Sequence, residues 1–530
     1  MNNKPATNPS GAATVRVASG SHGEVRGINL SRRSSQFEGR FGRMFRTLPP
    51  GRFDEEMLIT LGKEMTAEKE PGGPTPEDAD PPDDEENIGT KLHPGISAGY
   101  TYLGQFIDHD LTFDPASSLE RDNDPDGLVD YRTPRFDLDC VYGRGPDDQP
   151  YLYRDGGMRM LLGKQLTGND DDPNARGLPR NPPVGKEPSR ALIGDPRNDE
   201  NVIISQLQSA MLRFHNRVVD VFKPETFAEA QRIVRWHYQW VVLHDFLPTI
   251  IGAEAWHEIL PHVKKGTNVV DDPPRLKFYK VKGKDPYMPI EFSVAAYRFG
   301  HSMIRPVYRL NAKNDRLPIF SANKKKESLA GFRAFPSKLA IDWRLFFDMG
   351  NNPPRAGKKR VQPAYKIDTS LVNPLGDLPK AIGGDHPSLA ERNLIRGLRM
   401  QLPSGQTVSR AMGIQPIDDE KLRVGKANED GVKTNKKLTD VDPAFAGNAP
   451  LWYYILAEAQ QQFVKNDTPI HLGPVGGRIV GEVFVGLMMA DSYSFLRQNP
   501  LFHPSEKLVK KGANFRMADL LKQAKKASYP

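Results

Sequence analysis

Apolar residues recur along most of this chain with the three- and four-residue spacing of an amphipathic α-helix. The first clear run follows Pro94 and Gly95 and predicts a helix within residues 99–115. Further helices are predicted after Asp195 and over residues 227–246, 291–304, 389–400, 451–464 and 478–495. Strand-like alternation is scarce and local, as in residues 276–281. The pattern therefore indicates a mainly α protein with few short strands.

Proline, glycine and capping residues place the ends of several predicted helices. Asp195 and Pro196 suit the N-cap and the first helical position, so a helix is expected to begin there and to run through Val218. Pro248 is expected to end the helix over 227–246, and the helix over 291–304 is expected to end before Pro306. The glycine-rich run 473–484 lacks the spacing of a phosphate-binding loop and is interpreted as a turn that leads into a core helix.

Polar stretches without core-forming residues indicate how the chain is organised. Residues 1–38 are rich in Ser, Gly, Asn and Arg and are expected to form a flexible tail. No repeat or long linker divides the remainder, so residues 39–525 are predicted to form one large helical domain. Residues 68–87 and 119–133 are predicted to be loops.

The second of these loops resembles the start of a calcium-binding EF-hand. Asp122, Asp124 and Asp126 precede Gly127, as in that motif. The twelfth position, which should hold a bidentate Glu, is Thr133. The segment is therefore interpreted as a solvated acidic loop.

Composition excludes several classes of protein. The only cysteine among the 530 residues is Cys140, so neither an intrachain disulfide nor a four-cysteine zinc site can form. The net charge of +7 is mild and its basic residues are scattered, which does not support a nucleic-acid surface. No apolar run reaches the ~18 residues of a membrane span. The first 20 residues lack the apolar core of a secretory signal, so a cytoplasmic location is expected, with leaderless export left open.

The helix predicted within 99–115 carries candidate chemistry. Gln105, Asp108 and His109 stand at i, i+3 and i+4 and share one helical face, whereas Asp110 points about 100° further round. An imidazole flanked by an amide and a carboxylate can transfer protons at neutral pH. A histidine with polar neighbours is also often structural, and spacing alone leaves both interpretations open.

Other polar groups recur at helical or alternating spacing. Two of these groups have a structural alternative: a surface ion pair for Arg197 and a satisfied core histidine for His301. The pairs at i and i+3 are Arg197 with Glu200, Arg298 with His301, and Asn393 with Arg396. The alternation of Thr133, Asp137 and Asp139 suits an oxygen-ligand loop for a hard cation.

Three further histidines are given no chemical role: His215 is interpreted as structural, and His237 and His244 are expected to have ordinary packing or surface roles. His215 lies in the sequence HNR, and His237 and His244 stand at i and i+7. Two helical turns separate the latter pair by about 10 Å, which is too far for both to bind one ion unaided.

Six motifs in order resemble the animal-type haem peroxidases, the peroxidase–cyclooxygenase superfamily that includes myeloperoxidase and lactoperoxidase. The motifs are GQFIDHDLTF (104–113), TPRFDLDCVYG (133–143), DPRNDEN (195–201), HNR (215–217), YRFGH (297–301) and NLIRG (393–397). Each is weak alone, and the ordered set spans roughly residues 40–500. The chain resembles a compact bacterial-style member without the disulfides of the mammalian enzymes.

The resemblance implies a role for each matching residue. His109 matches the distal histidine, Gln105 its neighbour on the helix, and Arg197 the distal arginine. His301 matches the proximal ligand of the iron in haem b, and Asn393 the asparagine that accepts its other ring N–H. Arg298 and Arg396 match the partners of the haem propionates, and Asp108 and Glu200 match the carboxylates that form ester bonds to haem. Asp110, Thr133, Asp137, Asp139 and the carbonyl of Arg135 match a calcium site.

One departure bears on the reaction. Cyclooxygenases and related fatty-acid dioxygenases carry a radical-forming tyrosine three residues before the proximal histidine, and Arg298 stands there in this chain. Tyr297 lies one residue further away and is expected to face elsewhere on the helix. The resemblance therefore implies a peroxidase that uses hydrogen peroxide to oxidise a halide, thiocyanate or a phenol. The alternatives are a fatty-acid dioxygenase and a non-catalytic calcium-binding adhesion or scaffold protein.

Overall fold

A computed structural model of the chain describes most of the predicted domain. The described residues are 39–67, 86–88, 95–113, 129–185, 189–281, 286–314, 316–321, 327–350, 354–355, 358–359, 361–380, 386–428, 430–463 and 470–528. The predicted tail over 1–38 lies outside them, as do most of the loop over 68–87 and the EF-hand-like part of the loop over 119–133. The proposed domain limits of 39 and 525 remain a prediction.

Helices dominate the described ranges, which confirms the predicted mainly α class. The α-helices are α1 (Glu55–Glu64), α2 (Ala98–Leu111), α3 (Asp139–Tyr142), α4 (Val202–Phe222), α5 (Phe227–Val241), α6 (Leu247–Ile251), α7 (Ala253–Ile259), α8 (Pro261–Lys265), α9 (Leu389–Arg399), α10 (Gly405–Ala411), α11 (Gly431–Thr434), α12 (Leu438–Val441), α13 (Leu451–Gln460), α14 (Pro474–Ala490), α15 (Phe495–Gln498) and α16 (Met517–Ala524). Single 3-10 turns or short 3-10 helices cover Pro150–Leu152, Pro196–Asp199, Ala296–His301, Ser337–Leu339, Trp343–Leu345, Asn373–Leu375, Asp419–Lys421 and Pro443–Phe445. Two π-helical turns cover Val242–Phe246 and Glu291–Ala295.

The strands are short, with two to four residues each. They are β1 (Gly39–Gly42), β2 (Val129–Asp130), β3 (Tyr153–Arg154), β4 (Arg159–Met160), β5 (Met288–Pro289), β6 (Val307–Tyr308), β7 (Leu317–Pro318), β8 (Pro354–Arg355), β9 (Lys358–Lys359), β10 (Arg423–Val424) and β11 (Lys436–Lys437). β1 pairs antiparallel with β2 and parallel with β5, and four two-stranded antiparallel ribbons account for the other strands.

A contiguous apolar core extends from Phe41 to Ala524 and has α4 near its centre. α4 contacts α2, α5 and α16, and its first turn is capped by Asn201, whose side-chain oxygen accepts from Ile203 N–H and Ile204 N–H. α13 and α14 pack beside the segment that ends at His301. α2 and that segment are therefore held as two facing walls by helices that are themselves buried.

The helix predicted to start at Asp195 is broken. Asp195 caps the short 3-10 helix Pro196–Asp199 by accepting from Arg197 N–H, and the chain then makes a second start at Asn201. Asn201 competes for the helical backbone donors, so α4 begins at Val202 instead. Arg197 consequently lies on a separate short helix that can be oriented independently of α4.

Two other predicted helices also differ from the structure. The helix over 227–246 does not stop at Pro248, because the π-turn Val242–Phe246 places that proline in the first turn of α6, where its missing N–H is tolerated. The helix over 291–304 is a π-turn followed by a 3-10 helix, and it ends at His301. This change from 3.6 to three residues per turn alters which side chains share a face.

The predicted strand over 276–281 does not form. Phe278 N–H and Tyr279 N–H donate to Oε2 of the buried Glu482, at 2.7 and 3.0 Å, so these donors are not available to a neighbouring strand.

The glycine-rich run 473–484 is a helical start, as expected, although the predicted helix over 478–495 is divided into α14 and α15. Gly481 and Gly486 let α14 pack closely, since a Cβ at either position would lie within 2.5 Å of Ile259 or Tyr279. None of the helices in the described ranges is long and apolar enough to cross a membrane.

Candidate active site

A large cavity lies between α2, the 3-10 helix Pro196–Asp199 and the segment that ends at His301. It has a volume of about 1190 Å³, part of which is open to solvent. Its walls include Gln105, Asp108, His109, Arg197, Glu200, Arg298, His301 and Arg396. An adjoining cavity of about 1210 Å³ shares five of these residues and is also lined by Asn393. The structure thus brings together nine residues that the sequence places up to 291 positions apart.

His109 is held as a buried neutral base on α2. Its Nδ1 lies 2.7 Å from Oδ1 of Asn198, and its Nε2 lies 3.9 Å from Oε1 of Glu200. Burial, with a further contribution from the charge of Arg197, lowers the pKa of His109 to about 3. The imidazole therefore stays uncharged at neutral pH and can accept a proton.

Arg197 is fixed beside His109 by a carboxylate and a backbone carbonyl. Its Nη2 donates to Oδ2 of Asp195 at 2.8 Å and to the carbonyl oxygen of His109 at 3.1 Å. Burial raises the pKa of Asp195, but the guanidinium groups of Arg132 and Arg197 outweigh this and hold that pKa well below its usual value. Asp195 therefore remains ionised and orients Arg197 at the cavity wall.

Two carboxyl groups approach the cavity from opposite elements. Gln105 donates from Nε2 to Oε1 of Glu200 and accepts from Asn201 Nδ2 at 3.3 Å. Burial raises the pKa of Glu200 to about 7, with Arg197 opposing and Asp195 and Asp108 adding to the rise. Burial also raises the pKa of Asp108, whose Oδ1 accepts from Oγ1 of Thr112 at 3.1 Å. Glu200 can thus be partly protonated near neutral pH, and burial favours the neutral form of Asp108 as well.

The opposite wall carries His301, and here the structure differs from one expectation. Asn393 was expected to accept an N–H from His301, but its Nδ2 lies 2.7 Å from Nδ1 of the imidazole. The reason is that Arg298, a pure donor, donates from Nη1 to Oδ1 of Asn393 at 3.0 Å, which leaves the amide nitrogen facing the ring. Burial lowers the pKa of His301 to about 3, so this imidazole is also neutral.

The remaining cavity residues require a second correction. Tyr297 was expected to face away from the site, yet it lines the same cavity as His109 and Arg197 and donates to the carbonyl oxygen of Gly104 at 3.2 Å. The expectation assumed α-helical geometry, whereas this segment is a 3-10 helix. Arg396 is buried and lines both cavities.

Three carboxylates converge next to α2. One oxygen from each of Asp110, Asp137 and Asp139 lies within 4.8 Å of the others, and they form the only such acidic cluster within the described ranges. Oδ2 of Asp110 and Oδ1 of Asp139 are buried without a hydrogen-bond donor. Burial and the charges of Asp137 and Asp139 raise the pKa of Asp110, since like charges at this distance oppose ionisation. Orphaned, converging carboxylate oxygens are the donor set of a hard cation.

The other residues of the predicted calcium loop surround this cluster. Oγ1 of Thr133 donates to Oδ2 of Asp137 at 2.6 Å, and the N–H of Arg135 donates to the carbonyl of Thr133 at 2.7 Å in a tight turn. Arg132 approaches from one side, with Nη1 3.4 Å from Oδ2 of Asp139. Asp110 follows His109 on α2, so the cluster adjoins the cavity through consecutive residues.

Sequence reasoning missed Asn198, Asp195 and Gln208 as parts of the site. Asn198 and Asp195 lie within the motif DPRNDEN, but treating that motif as the start of a long helix assigned Asp195 only a capping role. Gln208 carried no signal, because a polar residue on a helix is ordinary. Of the three histidines without a predicted chemical role, His215 and His237 are buried and hydrogen-bonded outside the cavity.

Sequence comparisons relate the chain to animal haem peroxidases. The family model for animal haem peroxidase matches residues 118–363. Thyroid peroxidase from Sus scrofa is 31% identical over 261 residues, which cover 45% of this chain and 25% of the relative. Peroxidasin from Drosophila melanogaster is 25% identical over 339 residues, which cover 61% of this chain and 20% of the relative. The chain thus spans a quarter or less of the length of these curated relatives.

Solved structures show the same fold at low identity. Peroxidase A from Dictyostelium discoideum has a TM-score of 0.54 and 14% identity, with 91% of this chain and 94% of that chain covered. A fatty acid alpha-dioxygenase from Oryza sativa has a TM-score of 0.53 and 14% identity, with 91% and 79% covered. At such identity the likeness concerns the fold alone. The family match, the curated relatives and the shared helical fold together identify the chain as a member of the animal-type haem peroxidase superfamily.

Proposed function

We propose that this chain is a haem peroxidase that reduces hydrogen peroxide and oxidises a small donor, with halide, thiocyanate and phenols as the candidate classes. The observation that carries the proposal is the pairing of a neutral imidazole and a guanidinium, His109 and Arg197, on the same cavity as a second neutral imidazole, His301. A scaffold protein has no use for this set, which argues against the non-catalytic alternative.

The residues present fit haem b. His301 lines this cavity, and a Cβ added to the neighbouring Gly300 would meet no atom within 4 Å. Thr101 Oγ1 and Ser293 Oγ line the same cavity and are buried without a hydrogen-bond partner. His301 would hold the iron, and Arg298 and Arg396 would pair with the propionates. Haem, when bound, supplies the redox centre that hydrogen peroxide oxidises and that the donor reduces.

The side chains opposite His301 would handle the protons of this reaction. Neutral His109 can take a proton from hydrogen peroxide at Nε2 and return it to the leaving oxygen as the O–O bond breaks. Arg197, held by Asp195, presents a fixed positive charge toward the negative charge that develops on that oxygen. Gln105 and Glu200 form the adjoining polar wall through their own hydrogen bond.

Covalent attachment of the haem forms a second part of the proposal. Asp108 and Glu200 both line the cavity, and both have raised pKa values because of burial. We infer ester bonds from these carboxyl groups to haem. Acid–acetone extraction of the peroxide-treated protein tests this, because a covalent haem stays with the protein and a free haem is removed completely.

Calcium is proposed for the cluster of Asp110, Asp137 and Asp139, with Thr133 and the carbonyl of Arg135 as further ligands. The support is the pair of orphaned oxygens described above, which a divalent cation would satisfy. Because Asp110 follows His109, the ion would restrain the rotation of α2 about its axis.

The rival activity is fatty-acid dioxygenation, which Tyr297 at the cavity wall favours. Against it, the hydroxyl of Tyr297 is engaged by the carbonyl of Gly104, and Arg298 occupies the position three residues before His301. An optical spectrum of the haem-loaded protein, recorded before and after hydrogen peroxide and then with halide or phenol, tests the proposal. A Soret band that shifts with peroxide and returns with donor supports a peroxidase. Hydroperoxide formed from an unsaturated fatty acid and oxygen, without a peroxide response, would establish the dioxygenase.

A further inference from the structure

We propose that Asn198 is a positioning residue that determines which ring nitrogen of His109 carries the proton. Asn198 belongs to a chain of hydrogen bonds, the amide relay, that runs from the backbone carbonyl of Cys140 through the side chains of Gln208 and Asn198 to His109. The inference rests on the proposed peroxidase function and adds a residue to it that faces neither the cavity centre nor any expected ligand.

The relay consists of three hydrogen bonds that join separate elements. Nε2 of Gln208, on α4, donates to the carbonyl oxygen of Cys140 at 3.2 Å. Nδ2 of Asn198 donates to Oε1 of Gln208 at 2.9 Å. Oδ1 of Asn198 lies 2.7 Å from Nδ1 of His109. The two side-chain amides are fully buried, and His109 is 4% exposed, so bulk water does not compete for these bonds.

The direction of the relay follows from the one group that cannot be reversed. A backbone carbonyl only accepts, so the end of the Gln208 amide that meets Cys140 is the nitrogen. The oxygen of Gln208 then faces Asn198, which must meet it with its own nitrogen. The oxygen of Asn198 is left facing His109, and an amide oxygen can only accept. Nδ1 of His109 therefore carries the hydrogen.

The carbonyl of Cys140 is available as the anchor because it lies in the C-terminal turn of α3. The last residue of α3 is Tyr142, and the carbonyl of Cys140 has no intrahelical partner four residues on, since Arg144 N–H donates to Oε1 of Gln149 instead. Asp195 N–H and Gln208 satisfy that carbonyl, at 3.1 and 3.2 Å.

The consequence is a lone pair at Nε2 of His109, the nitrogen directed toward Glu200 and the cavity. A neutral imidazole is a base through its unprotonated nitrogen, so only this tautomer can take a proton from a molecule in the cavity. If the amide of Asn198 were absent, both tautomers would be populated and the ring would be free to turn. Part of the molecules would then present a donor N–H to hydrogen peroxide instead of a base.

The test uses the haem-loaded protein and compares Asn198→Leu, which removes the acceptor at similar volume, with Asn198→Asp, which keeps an acceptor. Two rates are measured by stopped flow: the reaction with hydrogen peroxide, and the binding of cyanide to the ferric protein, which requires a base for the proton of HCN. Asn198→Leu is expected to lower both rates by about 10- to 100-fold. Asn198→Asp is expected to restore most of the loss, and the rate of donor oxidation is expected to change little in either variant.

A matched control, Gln206, and a second member of the relay, Gln208, both lie on α4. Gln206 is also a buried amide with both ends bonded, to the carbonyl of Leu339 at 2.7 Å and the N–H of Ile341 at 2.8 Å, but it does not contact the relay. Gln206→Leu is expected to leave both rates at the wild-type level. Gln208→Leu, which removes the anchor and leaves Asn198 in place, is expected to lower both rates because the amide of Asn198 can then turn.

The outcomes separate the relay from the function on which it rests. Wild-type rates of peroxide reaction and cyanide binding in a haem-loaded Asn198→Leu protein would overturn the relay. If that variant does not take up haem, wild-type rates in Gln208→Leu would overturn it instead. Equal losses in Asn198→Leu and Asn198→Asp would also count against the relay. They would indicate a general packing defect at this position, which a hydrogen-bond acceptor does not relieve. A wild-type protein that binds cyanide but ignores hydrogen peroxide would refute the peroxidase function, while the cyanide rates of the variants would still test the relay.

Discussion

Arg298 donates from Nη1 to Oδ1 of Asn393 at 3.0 Å, and this bond determines which end of the amide meets His301. With the oxygen occupied, the amide nitrogen faces Nδ1 of the imidazole, which must then accept. A histidine that binds iron through Nε2 needs its proton on Nδ1. Haem binding is therefore expected to require rotation of the amide of Asn393 and release of Arg298, whose guanidinium would become available to a propionate.

Asn393→Asp is predicted to lower the reduction potential of the bound haem. A carboxylate can accept from Arg298 and from Nδ1 of His301 at once, so the conflict at the amide disappears and the imidazole becomes a stronger electron donor. Redox potentiometry of the haem-loaded variant should show a negative shift of tens of millivolts or more. Asp is isosteric with Asn, so an unchanged potential would mean that this residue does not influence the proximal histidine.

The peroxide reaction is predicted to be insensitive to mild acid. The pKa of His109 is lowered to about 3 by burial and by Arg197, so the imidazole remains a neutral base down to about pH 4. The stopped-flow rate with hydrogen peroxide should be level from pH 7 to about 4 and should fall below that. A rate that falls on acidification with a midpoint near 6.5 would contradict the assignment. His109→Gln, which removes the base, should lower the rate by about 10²- to 10⁴-fold across the whole range.

Folding stability, in contrast, is predicted to decrease in the same pH range because of histidines outside the cavity. His215 accepts from the hydroxyl of Tyr142 and donates to the carbonyl of Met158, while His237 donates to the carbonyl of Ile233 and accepts from Ser505 N–H. Both are buried neutral, and burial lowers the pKa of each to about 4. Protonation would break the bond that each ring accepts.

The sign follows from proton binding in the two states. Above pH 6.5 neither state binds a proton at these rings; between pH 6.5 and about 4 only the unfolded chain does, so the free energy of unfolding falls as pH falls. The slope is about 1.4 kcal/mol per pH unit for each histidine. Urea titrations at several pH values measure it. His237→Gln should lower the slope of the free energy of unfolding against pH by the contribution of one proton, about 1.4 kcal/mol per pH unit. An unchanged slope would show that His237 is not buried in its neutral form.

Chelation of calcium is predicted to lower the melting temperature and to alter the haem spectrum. A free calcium concentration of 100 times the dissociation constant stabilises the folded state by about 2.7 kcal/mol. Removal of the ion also leaves the carboxylates next to His109 without a bound cation. Asp137→Asn should reproduce the effect of EDTA, whereas Asp148→Asn, at an exposed site away from the cluster, should leave both signals unchanged. Identical melting and identical spectra with and without EDTA would exclude the calcium site.

Local spacing in the sequence was enough to place some of these groups. Gln105, Asp108 and His109 share a face of α2 because an α-helix repeats every 3.6 residues, and that geometry holds wherever the helix packs. The mainly α class followed from the same periodicity, and the ordered motifs identified the family. Where the periodicity changed, at the 3-10 helix Ala296–His301, the face assigned to Tyr297 was wrong.

What the sequence by itself determined, then, was the identity of the chemical groups and their order within each helix. Only the tertiary structure decided which groups meet, because His109 and Asn198 are 89 residues apart and Arg298 and Asn393 are 95 apart. No local rule links such pairs; they are joined when the helices bury their apolar faces against one another. The proton positions on both histidines depend on these long-range amide contacts, so they are properties of the packed core rather than of any motif.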